Sequence, residues 1–100
     1  MAHRLAPHAE RDLDDIWLYL AKESASIDIA NRLIDTITDR FLFLASFPYI
    51  GRSREEDFGP GYRTLAVGDY VIVYCLENED ALILRVVHGR RDLETLFGHS

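Results

Sequence analysis

The chain has 100 residues, of which 48% are hydrophobic and 28% charged, so we expect one folded domain spanning residues 1–100. A formal net charge of -6 argues against nucleic acid as the main partner, because phosphate binding usually needs a basic surface. The sequence contains no apolar run of the length that a membrane span needs, and because its N-terminal residues include no apolar core segment we expect no signal peptide. Its single cysteine, Cys75, fits a reducing compartment, and we expect a cytoplasmic location without membrane binding.

The first half of the chain predicts a short strand followed by two helices. Residues 2–6 alternate as a strand does, and Pro7 suits the first position of a helix. An apolar residue recurs at helical spacing from Leu13 to Leu20, so the first helix should run to about Ser24. A second apolar stripe predicts a helix over residues 26–46, which Pro48 stops. The short link between the two predicts an antiparallel helical hairpin.

The second half predicts a loop over residues 48–60, then strands at residues 62–67, 70–76 and 81–87. Gly68 suits the first central place of a type II′ hairpin turn. Asp92 is a good cap for a last helix over residues 93–97. The fold class is therefore α+β in the order β-α-α-β-β-β. A helical hairpin packs on a small, mainly antiparallel four-stranded sheet, with a short C-terminal helix.

The two hairpins also fix which side chains share a face of the sheet. They place Leu76 opposite Ala81, Tyr74 opposite Ile83, and Ile72 opposite Arg85. One face is uncharged and is expected to lie under the helices: Tyr62, Thr64, Ala66, Val71, Val73, Cys75, Leu82, Leu84 and Val86. The other face, expected to point away from them, is mixed: Arg63, Leu65, Val67, Tyr70, Ile72, Tyr74, Leu76, Ile83, Arg85 and Val87.

The mixed face suggests a partner surface, because a soluble monomer rarely leaves a contiguous apolar patch open. Its two arginines, Arg63 and Arg85, could grip an anionic ligand or carboxylates of a partner. The alternative is that each arginine stacks on a neighbouring tyrosine and pairs with a local acid.

Motifs for metal or cofactor binding are not found: the four histidines lack metal-site spacing and no glycine-rich phosphate loop occurs. We therefore expect no metal and no cofactor. His88, Arg90 and Arg91 form the concentrated positive site of the sequence and could contact an acidic or phosphate-bearing partner. Pairing with nearby acids is the alternative. His88 could serve as an acid or base, but the sequence offers no second group to complete a catalytic pair.

Several segments resemble the ParE branch of the RelE/ParE superfamily, toxins of bacterial type II toxin–antitoxin systems that inhibit growth and stabilise plasmids. They are AERDLDDIWLYLA, PYIGR, YRTLAVGDYVIVYCL and above all RVVHGRRDLETLF. The resemblance covers nearly the whole chain. It implies one of two activities: RelE-like members are ribosome-dependent mRNA endonucleases, whereas ParE-like members inhibit DNA gyrase.

Departures from the nuclease pattern favour the ParE branch. Arg63, Arg85 and His88 would be the catalytic residues of a nuclease. However, Lys22 is the only lysine, and Gly89 stands where nucleases more often place an aromatic residue. The resemblance therefore favours a gyrase inhibitor over an enzyme, with His88, Arg90 and Arg91 as candidate gyrase contacts. An inactive toxin that only binds its antitoxin is a further alternative.

The resemblance also implies a cognate ParD-like antitoxin in a hetero-oligomer. In this superfamily the antitoxin lays a helix across the helical hairpin and often a strand along the sheet. We expect contacts with the 41–47 end of the second helix and with the mixed face. The candidate residues are Trp17, Phe41, Leu44, Arg63, Leu65, Tyr70, Ile72, Tyr74 and Arg85.

Overall fold

The computed structural model describes residues 2–89 and residue 92. The elements are β1 (His3–Leu5), α1 (Pro7–Ser24), α2 (Ile27–Ser46), β2 (Arg52–Ser53), α3 (Glu55–Phe58), β3 (Tyr62–Val67), β4 (Tyr70–Glu77) and β5 (Asp80–His88). The sheet order is β1-β5-β4-β3-β2; β1 runs parallel to β5 and the other pairs are antiparallel. The predicted α+β class is confirmed, while the predicted helix over residues 93–97 lies outside the described residues.

The helical hairpin forms as the sequence predicts. Pro7 begins α1, and Ala25 ends it in the left-handed region with a φ of 53°. Ser26 caps α2, its hydroxyl accepting a hydrogen bond from the Ile29 N–H at 3.3 Å. The αL residue followed by a capping serine reverses the chain in two residues, so α1 and α2 pack side by side.

The sheet has five strands because the predicted loop contains one of them. Arg52 and Ser53 pair with Thr64 and Arg63, and the short helix α3 follows. Two exposed polar residues carry no alternation of apolar and polar side chains. Pattern analysis alone could not find this strand.

The two hairpin turns set the register of the main strands. Gly68 has a φ of 59°, in keeping with its predicted place in the β3–β4 turn. Asn78 and Glu79 both have positive φ, which is typical of a two-residue turn between β4 and β5. The predicted pairings of Leu76 with Ala81 and of Tyr74 with Ile83 are confirmed.

A β-bulge breaks the predicted register beyond Tyr74. Ile72 pairs with Val86 rather than with Arg85, and Arg85 lies opposite Val73. The extra residue on β5 reverses the side-chain alternation from this point on. Val87 consequently lies opposite Val71, on the face that points away from Ile72.

The assignment of the two faces to helices and solvent was wrong. The core beneath the helices contains residues of the mixed face: Val67, Tyr70, Ile72, Tyr74 and Ile83, packed with Ile16, Ile37, Phe41 and Leu44 of the helices. The mixed face carries the larger side chains, and each buried methylene contributes about 0.8 kcal/mol. The free energy gained by burying these larger side chains outweighs the cost of having two arginines on the same face. The two guanidinium groups find their bonding partners at the periphery of the core.

Candidate functional site

Arg63 ties the loop after α2 to the sheet. Its Nε donates to the carbonyl of Gly51 and its Nη2 to the carbonyl of Tyr49, both at 3.0 Å. The guanidinium carbon also lies 5.6 Å from the centre of the Tyr49 ring. The planar guanidinium therefore bonds two carbonyls of one turn, a structural contact that occupies two of its five N–H donors.

The hydroxyl of Tyr74 holds the same loop from beneath. It donates to the carbonyl of Pro48 at 2.7 Å and accepts from the Gly51 N–H at 3.0 Å. Burial raises the pKa of Tyr74, while the Gly51 hydrogen bond and the charge of Arg63 act in the opposite direction. The phenol therefore stays protonated at neutral pH and keeps its role as a donor.

Arg85 binds a buried carboxylate of α1. Its Nε and Nη2 donate to the two oxygens of Asp12 at 2.8 and 3.1 Å. The N–H of Val86 donates to Asp12 Oδ2 at 2.9 Å. Asp12 is 8% exposed, so the chain's one buried acid is matched by three donors from β5 within the part the structure describes.

A cleft of about 400 Å³ lies between α1 and the end of β5. Its lining comprises Asp12, Asp15, Ile16, Tyr19, Tyr70, Arg85, Val86, Val87, His88 and Asp92. The ring of His88 meets the ring of Tyr70 edge-on, with centroids 5.5 Å apart. This cleft brings three of the sequence-predicted site residues, Tyr70, Arg85 and His88, to one place.

Arg63 is not part of that cleft. It lies on β3, two strands away, and bonds the loop that follows α2. Of the three residues that a nuclease would need, Arg85 and His88 therefore share the cleft, and Arg63 lies apart from it. Arg90 and Arg91 lie outside the described residues. Within residues 2–89 and 92, no cluster of histidine, cysteine and carboxylate side chains could hold a metal ion.

Most of the candidate antitoxin residues are core residues in the isolated chain. Phe41, Leu44, Tyr70, Ile72 and Tyr74 are all buried, so the expectation that they line an open surface is wrong. The exposed large apolar side chains at this end of the molecule are others: Leu42, Phe43, Phe47, Tyr49 and Ile50, here called the α2-end patch. The sequence pointed to the 41–47 segment but missed Tyr49 and Ile50, which look like ordinary loop residues there.

Trp17 lies in a second exposed depression. A groove of about 500 Å³ is lined by Leu5, Glu10, Leu13, Asp14, Trp17 and Ile34. The indole N–H of Trp17 donates to Asn31 Oδ1 at 2.7 Å, which joins α1 to α2 across the hairpin. The lining of the groove combines apolar side chains with two carboxylates, those of Glu10 and Asp14. Among the described residues, no helix is long and apolar enough to cross a membrane.

Cys75 should react slowly with alkylating reagents. Burial, followed by the carboxylate of Glu77, raises the pKa of its thiol, and Arg4 offsets this only in part. A raised pKa leaves less thiolate at neutral pH, and the thiolate is the nucleophile. Iodoacetamide should therefore modify the folded chain more slowly than the urea-unfolded chain at pH 7.5. Equal rates of alkylation in the folded and the unfolded chain would contradict the raised pKa of the Cys75 thiol.

Comparison with known proteins gives the family. The profile described as the ParE toxin of the type II toxin–antitoxin system parDE matches residues 4–93. Toxin ParE3 of Caulobacter vibrioides is 34% identical over 87 residues, covering 87% of this chain and 85% of that protein. Toxin ParE1 of Mycobacterium tuberculosis is 30% identical over 91 residues, covering 90% and 91%.

Solved structures show the same fold. The chromosomal ParDE toxin–antitoxin system from P. aeruginosa superposes with a TM-score of 0.74 at 21% identity, over 88% of this chain and 95% of that one. The toxin–antitoxin complex RelBE2 from Mycobacterium tuberculosis gives a TM-score of 0.56 at 25% identity, over 87% and 95%. With the profile match and the sequence relatives, these findings show that the chain belongs to the ParE family of type II toxin–antitoxin toxins.

Proposed function

We propose that this chain arrests growth by inhibiting DNA gyrase through protein–protein contact, and that a ParD-like antitoxin neutralises it in the bacterial cytoplasm. The observation that carries the choice of mechanism is the placement of Arg63 and Arg85. A nuclease of the RelE type would present both to RNA. In this chain each one bonds protein groups, at two separate sites.

Charge supports the same choice. A net charge of -6 opposes the approach of ribosomal RNA, whose binding depends on neutralising phosphates. Arg85 is itself neutralised by Asp12, and its side chain is 27% exposed. Contact with a protein target does not need a basic surface, so inhibition of gyrase agrees better with this chain than cleavage of ribosome-bound mRNA.

The end of β5 is the proposed contact with gyrase. His88 lies there beside the cleft between α1 and β5, and Arg90 and Arg91 follow it in the sequence. In the sequence, this short segment combines a histidine with two cationic residues. Such a combination suits an acidic surface of a protein target.

An induction experiment separates the two mechanisms in cells. Expression of the chain should arrest growth and relax a reporter plasmid, because inhibited gyrase no longer introduces negative supercoils. Primer extension on mRNA from the same cells should show no new cuts. Codon-phased cuts on a normally supercoiled plasmid would reverse the assignment. Normal growth, with antitoxin still bound, would instead indicate an inactive toxin.

Antitoxin binding is proposed for two exposed surfaces of the helical hairpin. The two structural neighbours are parts of toxin–antitoxin assemblies, as their names state. The α2-end patch offers large apolar side chains, with Phe43 and Phe47 in ring contact at 5.1 Å. The groove beside Trp17 is lined by apolar side chains together with the carboxylates of Glu10 and Asp14. The apolar stripe of an amphipathic antitoxin segment would match both surfaces, and basic residues beside the stripe would match the two carboxylates of the groove.

Phe47→Glu should weaken the antitoxin complex at least about tenfold, since a charge placed within a buried interface core typically costs more than 1.4 kcal/mol. Phe47 is 57% exposed, so the isolated chain should fold normally. Ile27→Glu is the matched control, because Ile27 is 60% exposed at the opposite end of α2. Calorimetric titration measures both variants. Equal losses for the two would show that the patch is not the binding site.

A further inference from the structure

Asp12 is bound more completely than a surface acid on a helix would be. Both of its oxygens accept from the guanidinium of Arg85, in the paired geometry that fixes direction as well as distance. Oδ2 also accepts from the backbone N–H of Val86. One carboxylate of α1 thus holds a side chain and the main chain of β5 at consecutive residues.

The position of this contact along β5 gives it a particular consequence. Strand β1 pairs with β5 only as far as Leu5 opposite Ile83, and the N–H of Ala6 makes the last bond, to the carbonyl of Ile83, at 2.8 Å. Beyond that point β1 is absent, because Pro7 begins α1. Along β5 the β-bulge follows, and after it the N–H of Val86 donates to the carboxylate of Asp12. On the edge of β5 that lies opposite to β4, the contact with α1 therefore takes the place of pairing with a neighbouring strand.

We propose that Asp12 is a positioning residue for the toxic surface: through Arg85 and Val86 it sets the direction in which β5 delivers His88 to the target. The inference rests on the proposed function, in which the end of β5 contacts gyrase. Asp12 is buried and touches no target itself. Its carboxylate fixes Val86, two residues before His88, on the edge of β5 that β4 does not pair.

If Asp12 is a positioning residue, its substitution should reduce the inhibition of gyrase and leave antitoxin binding nearly unchanged. A merely stabilising residue would affect both. Asp12→Asn keeps the size of the side chain and one oxygen acceptor, but loses the charge that binds Arg85. The folded fraction of this variant should bind antitoxin at the α2-end patch within about twofold of the wild-type affinity. Its inhibition of gyrase supercoiling should fall at least about tenfold, because small misplacements of a contact group have large effects.

The test compares the purified wild-type chain, Asp12→Asn and Glu23→Gln in a supercoiling assay and in antitoxin titration. Glu23 is an exposed carboxylate of the same helix, so Glu23→Gln makes the same charge change outside the contact. It should inhibit like the wild type. Selective loss in Asp12→Asn alone supports the proposal. Inhibition by Asp12→Asn equal to wild type, or equal losses of inhibition and antitoxin affinity, would overturn it.

A second variant covers the case in which Asp12→Asn does not fold. Arg85→Lys keeps the ion pair and the Val86 bond but removes the paired geometry, and it should reduce inhibition by about threefold or more while melting cooperatively. Unchanged inhibition would overturn the proposal. A wild-type chain without effect on gyrase would instead refute the proposed function. The comparison of Asp12→Asn with Glu23→Gln would then be decided on growth arrest.

Discussion

Replacing Asp12 by alanine should lower the free energy of unfolding by about 3 kcal/mol. The substitution leaves the Arg85 guanidinium without its carboxylate and the Val86 N–H without its acceptor, in a region where Asp12 is 8% exposed. Breaking a buried ion pair by removing one partner typically costs about 3–5 kcal/mol. We take the lower end because the Arg85 side chain is 27% exposed and water can reach part of it.

Urea unfolding with a double-mutant cycle checks this expectation. Asp14→Ala, at an exposed site of the same helix, should change the stability by less than about 0.5 kcal/mol. Arg85→Leu alone should also be costly, since it leaves the carboxylate uncompensated. Combining Asp12→Ala with Arg85→Leu should cost less than the sum of the two single changes. Strict additivity would show that the two residues do not act as a pair.

Replacing Gly51 by alanine should be about as damaging, lowering the free energy of unfolding by about 3 kcal/mol. A Cβ at this position would lie 2.4 Å from the Tyr74 hydroxyl oxygen and 2.8 Å from the Thr64 carbonyl oxygen. Tyr74 is fully buried and cannot swing away, and the carbonyl belongs to β3. The loop must therefore move, which breaks the hydrogen bonds that Tyr74 and Arg63 make to it.

Thermal unfolding measures the effect, which should be a fall in Tm of about 15 °C for a chain of this length. Gly68→Ala is the control: its added Cβ meets nothing within 4 Å, so only its φ of 59° is costly. That strain amounts to about 1 kcal/mol. A Tm of Gly51→Ala that is no lower than the Tm of Gly68→Ala would contradict the close approach of the loop to Tyr74.

The two long helices and the strands β1, β3, β4 and β5 could be predicted from sequence because each carries a local signal. Pro7, Ser26 and Pro48 bound the helices, and Gly68 fixes the first hairpin. The strand Arg52–Ser53 could not be predicted, since two exposed polar residues have no period. Its pairing arises from tertiary contact with β3.

The site was harder to predict because it depends on one bulge and on two long side chains. Alternation along β5 gave Arg85 the wrong partner, since an inserted residue leaves no mark in a run of aliphatic side chains. A charged residue was taken to exclude a face from the core. Arg63 and Arg85 instead reach bonding partners beyond the core, and the larger apolar side chains beside them are buried.

Asp12 shows what sequence reasoning overlooks most easily. On a helical wheel it counts as one of several acids on the polar side of α1, with Asp14 and Asp15 close by. Only the tertiary structure places it against Arg85, 73 residues later in the chain. The helical spacing of Asp12 from two apolar residues, three positions after Ala9 and four before Ile16, would have been the available signal.

The most direct test of the account is a supercoiling assay with purified gyrase, relaxed plasmid and the purified chain, in the absence of ribosomes. We expect supercoiling to stop as the chain is added and to resume when the cognate antitoxin is supplied. Full supercoiling at a large excess of the chain, together with cleavage of mRNA on added ribosomes, would contradict inhibition by protein contact.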